Sequence, residues 1–206
     1  LRGRKLAVSF HVDGDSGPMT WHAKALQTSY VTLPRAGARG HEEGEAAFPF
    51  ATASWFFLDA LDMQAAPGTK AVVGFGDSIT DGTASTMNGD DRWPDVLARR
   101  LGARPGNKWV VLNAGIGGNQ VVGPKEYGPD KPFPGGPSAL ARLERDVTSL
   151  SGVKAVILQD AETVLADAAQ PIAVSIPHVP ISREVIIPTA PGKRSIWAAN
   201  QLSTSK

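Results

Sequence analysis

Residues 70–158 alternate short apolar runs with amphipathic segments, and this order constrains the fold more than any other feature of the chain. The apolar runs are KAVVGF, KWVVLNAGIGG and VKAVILQ, which begin at Lys70, Lys108 and Val153. Each is short and rich in Val, Ile or Leu, as expected of parallel strands that are covered on both faces. The strand–helix–strand–helix–strand order predicts an α/β fold with a mainly parallel, doubly wound sheet.

The segments between these runs have the pattern of helices. RWPDVLARRL, residues 92–101, places its apolar side chains on one helical stripe and has a proline near the first turn. SALARLERDVTSL, residues 138–150, also has one apolar face, and Ser138 is the expected N-cap. We therefore expect helices to connect the three strands.

Composition limits the classes of function. The 206 residues are 42% hydrophobic, and 21 Lys and Arg against 20 Asp and Glu leave a formal net charge of +1. This balance provides no general attraction to nucleic acid or to anionic membranes. The absence of cysteine excludes disulfides, thiolate catalysis and cysteine-based metal centres. The most apolar stretch, residues 46–58, is too short to span a bilayer, so we expect no membrane span.

Composition also divides the chain into zones. Residues 1–69 contain the β-forming segments KLAVSFHV and ALQTSYVTL, separated by Gly-rich pieces, and predict a β-rich N-terminal extension. Residues 70–206 form the expected main domain, in which residues 159–206 are atypical and have only one segment, DAETVLADAAQ, of helical length. The first residues, LRGRKLAVSF, indicate a processed or trimmed start. Compartment, secreted or cytoplasmic, and oligomeric state are left open.

Polar and glycine residues follow the first two predicted strands where each strand ends. GFGDSITDG places Ser78 directly after the first strand, and NAGIGGNQ, residues 113–120, follows the second. The carboxyl ends of parallel strands meet at one edge of a sheet, which is where ligands bind in such folds. A serine hydroxyl beside two convergent backbone N–H groups is what an acyl-transfer intermediate requires. Asp77 is expected to support this site by fixing the turn through hydrogen bonds.

These motifs resemble the SGNH, or GDSL-type, hydrolases over residues 70–158. GDSITDG is similar to the first block of that family, and NAGIGG is similar to the second. The resemblance implies a three-layer, flavodoxin-like fold, Ser78 as nucleophile, and the N–H groups of Ser78 and Gly118 as the oxyanion hole. It also implies hydrolysis of small-molecule carboxylic esters without a metal or organic cofactor.

The chain departs from the family pattern after the third strand. The family's third block supplies an oxyanion-hole asparagine, but VKAVILQ is followed here by DAETVL. Its last block, Asp-x-x-His, supplies the catalytic base, but none of the histidines His11, His22, His41 and His178 has an aspartate three residues earlier. His178 is the candidate base because it comes late in the chain, and Asn119 is a candidate substitute donor to the oxyanion. The sequence leaves open whether the tail is truncated, rearranged or engineered.

Two other functions remain open at this stage. The first is a catalytically impaired or binding-only relic of the hydrolase fold, because half of the catalytic set is absent. The second is a phosphate-binding glycine loop at GFGDSITDG. This loop lacks the Lys-Ser/Thr ending of a P-loop, and Ile79 occupies the position of the third glycine in a dinucleotide-binding motif.

Overall fold

The computed structural model describes residues 5–128 and 130–159. The chain divides into two compact units. Among the described residues, 5–61 with Thr86–Gly89 form an N-terminal unit, and Asp62–Ser85 with 90–128 and 130–159 form a sheet unit. The fold is mixed α/β.

The centre of the sheet unit is a parallel sheet of three strands, in which β5 (Lys70–Gly76) lies between β6 (Trp109–Gly115) and β7 (Val153–Gln159). The three predicted strands are thus confirmed, as is their parallel pairing. Every residue of β5 except Lys70 is buried, as expected of a central strand.

Helices occupy the connections between the strands. A single-turn helix, α1 (Ser78–Asp81), follows β5, and α2 (Trp93–Gly102) precedes β6. Pro94 lies in the first turn of α2, as predicted from its place in the sequence. Before β7, α3 (Ala139–Leu143) continues into a π-helical turn, Glu144–Thr148. The Ser138 hydroxyl accepts a hydrogen bond from the N–H of Ala141 at 3.2 Å, which confirms the predicted cap.

The two faces of β5 meet different helical segments. Val73 and Phe75 point to one side, where they form a buried cluster with Val147 of the π-helical turn. Gly74 points to the other side, where an added Cβ would lie 2.7 Å from the ring of Trp93 in α2. The residues of β5 alternate between these faces, so the strand is covered from both sides.

The N-terminal unit contains short antiparallel pairs of strands. β1 (Trp21–His22) pairs with β4 (Trp55–Phe56), and β2 (Ser29–Val31) pairs with β3 (Phe50–Thr52). A 3₁₀ turn, Glu45–Ala47, precedes β3. Thr86–Gly89 belongs to this unit because Asn88 bonds with Thr28 through its side chain and with the carbonyl of Leu26 through its backbone, each at 2.8 Å.

The interpretation of KLAVSFHV as a β-forming segment is wrong, because residues 5–12 contain no strand. Its alternating apolar side chains are exposed, between 40% at Val12 and 55% at Leu6 and Phe10. A period of two favours a strand only where a partner strand supplies hydrogen bonds and one face is covered. Within the described residues, this segment has neither.

Candidate active site

The candidate nucleophile lies where the central strand ends. β5 stops at Gly76, Asp77 is the N-cap of α1, and Ser78 is the first helical residue. The Asp77 carboxylate accepts a hydrogen bond from the N–H of Ile79 at 2.9 Å. Asp77 is 4% exposed, so this bond is shielded from water and holds the strand-to-helix turn in one conformation.

Ser78 itself is only half-buried. In the part of the chain that the structure describes, its hydroxyl makes no hydrogen bond. Its backbone N–H is at the start of α1 and has no carbonyl acceptor within the helix. Both groups are therefore available to a bound molecule.

The loop after β6 begins beside this turn. Gly76 pairs with Gly115 in register, and the N–H of Ile116 donates to the carbonyl of Gly76 at 3.0 Å. Gly115 must lack a side chain, because a Cβ there would overlap the backbone nitrogen of Asp81 in α1. The missing side chain of Gly115 thus allows α1 to pack directly on the end of β6.

Gly117 and Gly118 continue this loop past α1. A Cβ on Gly117 would lie 3.3 Å from Oδ2 of Asp81, so the loop backbone runs close to the helix. Gly118 has φ +78°, a left-handed conformation that favours glycine, and it is exposed. Within the described residues its N–H has no acceptor. The loop with Gly118 and the turn with Ser78 therefore lie at the same edge of the sheet.

Asn113 of β6 and Thr80 of α1 connect the strand to the helix. Nδ2 of Asn113 donates to the carbonyl of Thr80 at 2.8 Å, and Oδ1 of Asn113 accepts from the N–H of Gly115 at 2.9 Å. Nε1 of Trp93 donates to the Thr80 hydroxyl at 3.4 Å. The sequence pattern predicts no role at the site for these three residues, although Asn113 begins the second block.

Asn119 is buried, and its side-chain amide is fully hydrogen-bonded to neighbouring residues. Its Nδ2 donates to the carbonyls of Gly135 and Pro137, each at 2.7 Å, and its Oδ1 accepts from Nε of Arg142 at 2.9 Å. Both amide hydrogens are thus engaged, which favours a role for Asn119 in holding the local turn over a role as donor to an oxyanion.

Arg142 is a further residue whose role the sequence does not predict. It lies in α3, is 1% exposed, and packs its guanidinium 4.0 Å from the centre of the Phe75 ring. The available signal was an i, i+4 pair with Asp146, but exposed helices contain the same pair, so it does not predict burial. The helical segment predicted over residues 138–150 thus contains a buried cation besides its apolar residues.

The acids near the sheet have opposite pKa shifts. Burial by itself would raise the pKa of Asp146, but hydrogen bonds from Arg145 and Arg142 outweigh it and lower that pKa below its ordinary value of 3.8. Burial raises the pKa of Asp95 in α2, and the opposing charge of Arg92 does not cancel this effect. Asp146 is therefore held as a carboxylate beside the buried guanidinium.

No histidine lies among the described residues of the sheet unit, which contains Ser78. His178 lies outside the described residues. His11, His22 and His41 belong to the N-terminal unit, where the ring of His22 contacts that of Trp55 edge-on and the side chain of His41 is 79% exposed. Among the described residues there is no cluster of three or more acidic or histidine side chains able to hold a metal ion. None of the helices described is both long and apolar enough to cross a membrane.

A comparison with known families finds a match over the segment that contains the candidate site. Residues 75–160 match the GDSL-like Lipase/Acylhydrolase family. This match confirms the resemblance found from GDSITDG and NAGIGG, and it supports a general acylhydrolase function. The GDSL-like segment contains Ser78, Gly118 and Arg142. A comparison with the curated proteins gives no match.

Proposed function

We propose that this chain is a serine esterase of the SGNH type, which hydrolyses carboxylic esters through an acyl-Ser78 intermediate. The observation that carries the proposal is the position of Ser78 at the end of the central strand beside the glycine loop, with a hydroxyl that makes no hydrogen bond to any described residue. The GDSL-like match over the same residues supports it.

In the proposed reaction, the Ser78 oxygen attacks the ester carbonyl carbon while a base removes the hydroxyl proton. The carbonyl oxygen becomes an oxyanion, to which the N–H groups of Ser78 and Gly118 would donate. Collapse of the tetrahedral intermediate expels the alcohol, which takes up the proton. Water then attacks the acyl-Ser78 ester by the same steps and releases the carboxylic acid.

The base in this proposal is His178. It lacks the family's orienting aspartate, because Ser175 stands three residues before it. A base without its orienting acid is held less well in the productive tautomer, so slower turnover than in a complete triad is expected. The proposal requires no metal or organic cofactor.

The substrate class that we propose is a small ester with a short acyl, lipid or acetylated-carbohydrate group. No segment of the sequence has the pattern of an apolar lid helix, which makes a true lipase the weakest of these choices. We also propose that the sheet unit is a three-layer, flavodoxin-like domain. Helical segments on both faces of β5 and the strand order β6-β5-β7 support this arrangement.

Substitution of the nucleophile tests the proposal. Ser78→Ala should lower the hydrolysis of p-nitrophenyl acetate by at least about 10³-fold, because the covalent step is lost. Ser151→Ala, which alters an exposed serine in the turn before β7, is the control and should retain the full rate. Labelling by a fluorophosphonate should occur in the native chain and in Ser151→Ala but not in Ser78→Ala.

The second candidate is a catalytically impaired or binding-only relic. The replacement of the family's third block by DAETVL favours it, because loss of one oxyanion donor costs roughly 10²–10³ in turnover. Equal hydrolysis by the native chain and Ser78→Ala would support this candidate and exclude the esterase.

A further inference from the structure

The guanidinium of Arg142 joins the two loops of the candidate site. Nη2 donates to the carbonyl of Gly76 at 2.9 Å, and Nη1 donates to the carbonyl of Ala114 at 2.8 Å. Gly76 is the last residue of β5 before the Asp77–Ser78 turn, and Ala114 is the penultimate residue of β6. One planar group thus binds the ends of both neighbouring strands.

A third donor of the Arg142 guanidinium, Nε, reaches the glycine loop after β6. Nε donates to Oδ1 of Asn119 at 2.9 Å. Asn119 directly follows Gly118, and its amide binds the carbonyls of Gly135 and Pro137. The guanidinium therefore contacts the backbone before Ser78 and the side chain next to Gly118.

Because the Arg142 side chain is buried, its donors must find their acceptors within the protein. The Arg142 side chain is fully buried, and Nη1 also donates to the Asp146 carboxylate at 3.0 Å, which supplies the opposite charge. A buried charged donor that loses its acceptor is costly, so the carbonyls of Gly76 and Ala114 are held at hydrogen-bond distance. A fork of five N–H donors in one plane can satisfy these separate acceptors, whereas a lysine ammonium presents its donors from one point.

From this geometry we propose that Arg142 is a positioning residue, which sets the distance between the Ser78 turn and the Gly118 loop and thereby aligns the two oxyanion donors. This inference rests on the proposed esterase function. It goes beyond it by assigning the alignment to a side chain that touches neither the substrate nor the nucleophile. Oxyanion donors act only within a few tenths of an ångström of their ideal distance, so a small shift between the loops lowers turnover while substrate binding is retained.

The first test measures the connection itself by hydrogen–deuterium exchange of the full chain. Arg142→Lys should exchange faster than the native chain in peptides covering residues 76–82 and 113–120, with unchanged exchange in β7. Arg145→Lys is the matched control, because Arg145 also binds Asp146 but is 59% exposed rather than buried. Unchanged exchange in either loop of Arg142→Lys, or equally faster exchange in β7, would overturn the proposal.

The second test measures the catalytic consequence. Per fluorophosphonate-titrated site, Arg142→Lys should lower kcat for p-nitrophenyl acetate about 10²-fold and leave KM within about twofold. Binding of a trifluoromethyl ketone, whose adduct mimics the oxyanion, should weaken by a similar factor, while Arg145→Lys behaves as the native chain. A purely structural role would reduce the number of titratable sites without changing kcat for each site, and that result would refute the proposal. Failure of the esterase function itself gives a different result, because Ser78→Ala would then match the native chain.

Discussion

At the scale of single residues, the candidate site depends on positions where a side chain is either absent or unusually well satisfied. Gly76 allows β5 to lie close to β7 and α1, and Gly115 allows β6 to lie close to α1, where a Cβ would overlap neighbouring atoms. Arg142 and Asn119 are buried polar groups whose donors have acceptors on the loops around the site. The alignment of the loops therefore depends on residues that do no chemistry themselves.

Substitution of Gly76 tests the close approach. A Cβ at this position would overlap the carbonyl oxygen of Gln159 in β7 and lie 2.7 Å from the Thr80 hydroxyl. Gly76→Ala should therefore lower the free energy of unfolding by about 1–3 kcal/mol, as measured by urea denaturation. Gly102→Ala is the control, because no atom lies within 4 Å of its Cβ position at the end of α2. It should leave stability unchanged or raise it by up to about 1 kcal/mol. Equal stability of the Gly76 variant and the native chain would contradict the assigned contact.

At the scale of elements, α3 both packs on the sheet and holds Arg142 in place. Its sequence pattern does not distinguish these two roles. Its apolar side packs on β5, and Arg142 on the same segment binds the strand ends. The helix is short and continues into a π-helical turn, a geometry that often occurs near functional sites. The beginning of this helix must consequently be well fixed if Arg142 is to reach its acceptors.

The N-cap of α3 provides a test at this scale. Ser138→Ala removes the acceptor for the N–H of Ala141 and should lower the free energy of unfolding by about 1 kcal/mol. Ser138→Asp keeps a capping oxygen and should restore most of this loss. Chemical denaturation of the three proteins gives the comparison, and an Asp variant as unstable as the Ala variant would show that the hydroxyl is not acting as a cap.

At the scale of the whole molecule, the apolar core belongs mainly to the sheet unit. The buried cluster consists of residues from β5, β7 and the π-helical turn, whereas Ala25 is the one buried hydrophobic residue that the described part of the N-terminal unit contributes. Burial of apolar area is the main source of stability, so the sheet unit should dominate the unfolding of the chain. Its ionisable groups should accordingly determine how stability changes with pH.

The pH dependence of unfolding tests this through Asp146. Its pKa is lowered in the folded state, so the folded state binds fewer protons than the unfolded state near pH 4 and below. The stabilisation is present above about pH 4 and is lost as the pH falls through the folded pKa. Asp146→Asn should therefore flatten the decline of unfolding free energy between about pH 5 and pH 2.

Asp95→Asn is the matched variant for this experiment, because the pKa of Asp95 is raised. Its protonated form is favoured in the folded state, so its contribution is lost as the pH rises through the folded pKa. The two variants should change the slope in opposite directions. Equal slopes in Asp146→Asn and the native chain would contradict the assigned ion pair.

The sequence by itself determined the three parallel strands, helix α2, the cap at Ser138 and the place of Ser78 at a strand exit. These features depend on local patterns, namely short apolar runs, helical spacing, and small or capping residues at element ends. Only the tertiary structure decided that Arg142 is buried and that Asn119 is occupied by loop carbonyls. It also decided that residues 5–12 form no strand. Each of these outcomes depends on partners distant in sequence, such as Gly76, which lies 66 residues from Arg142. Local propensity contains no information on such partners. The spacing of charged and apolar residues along a segment is the same whether or not another element covers that segment.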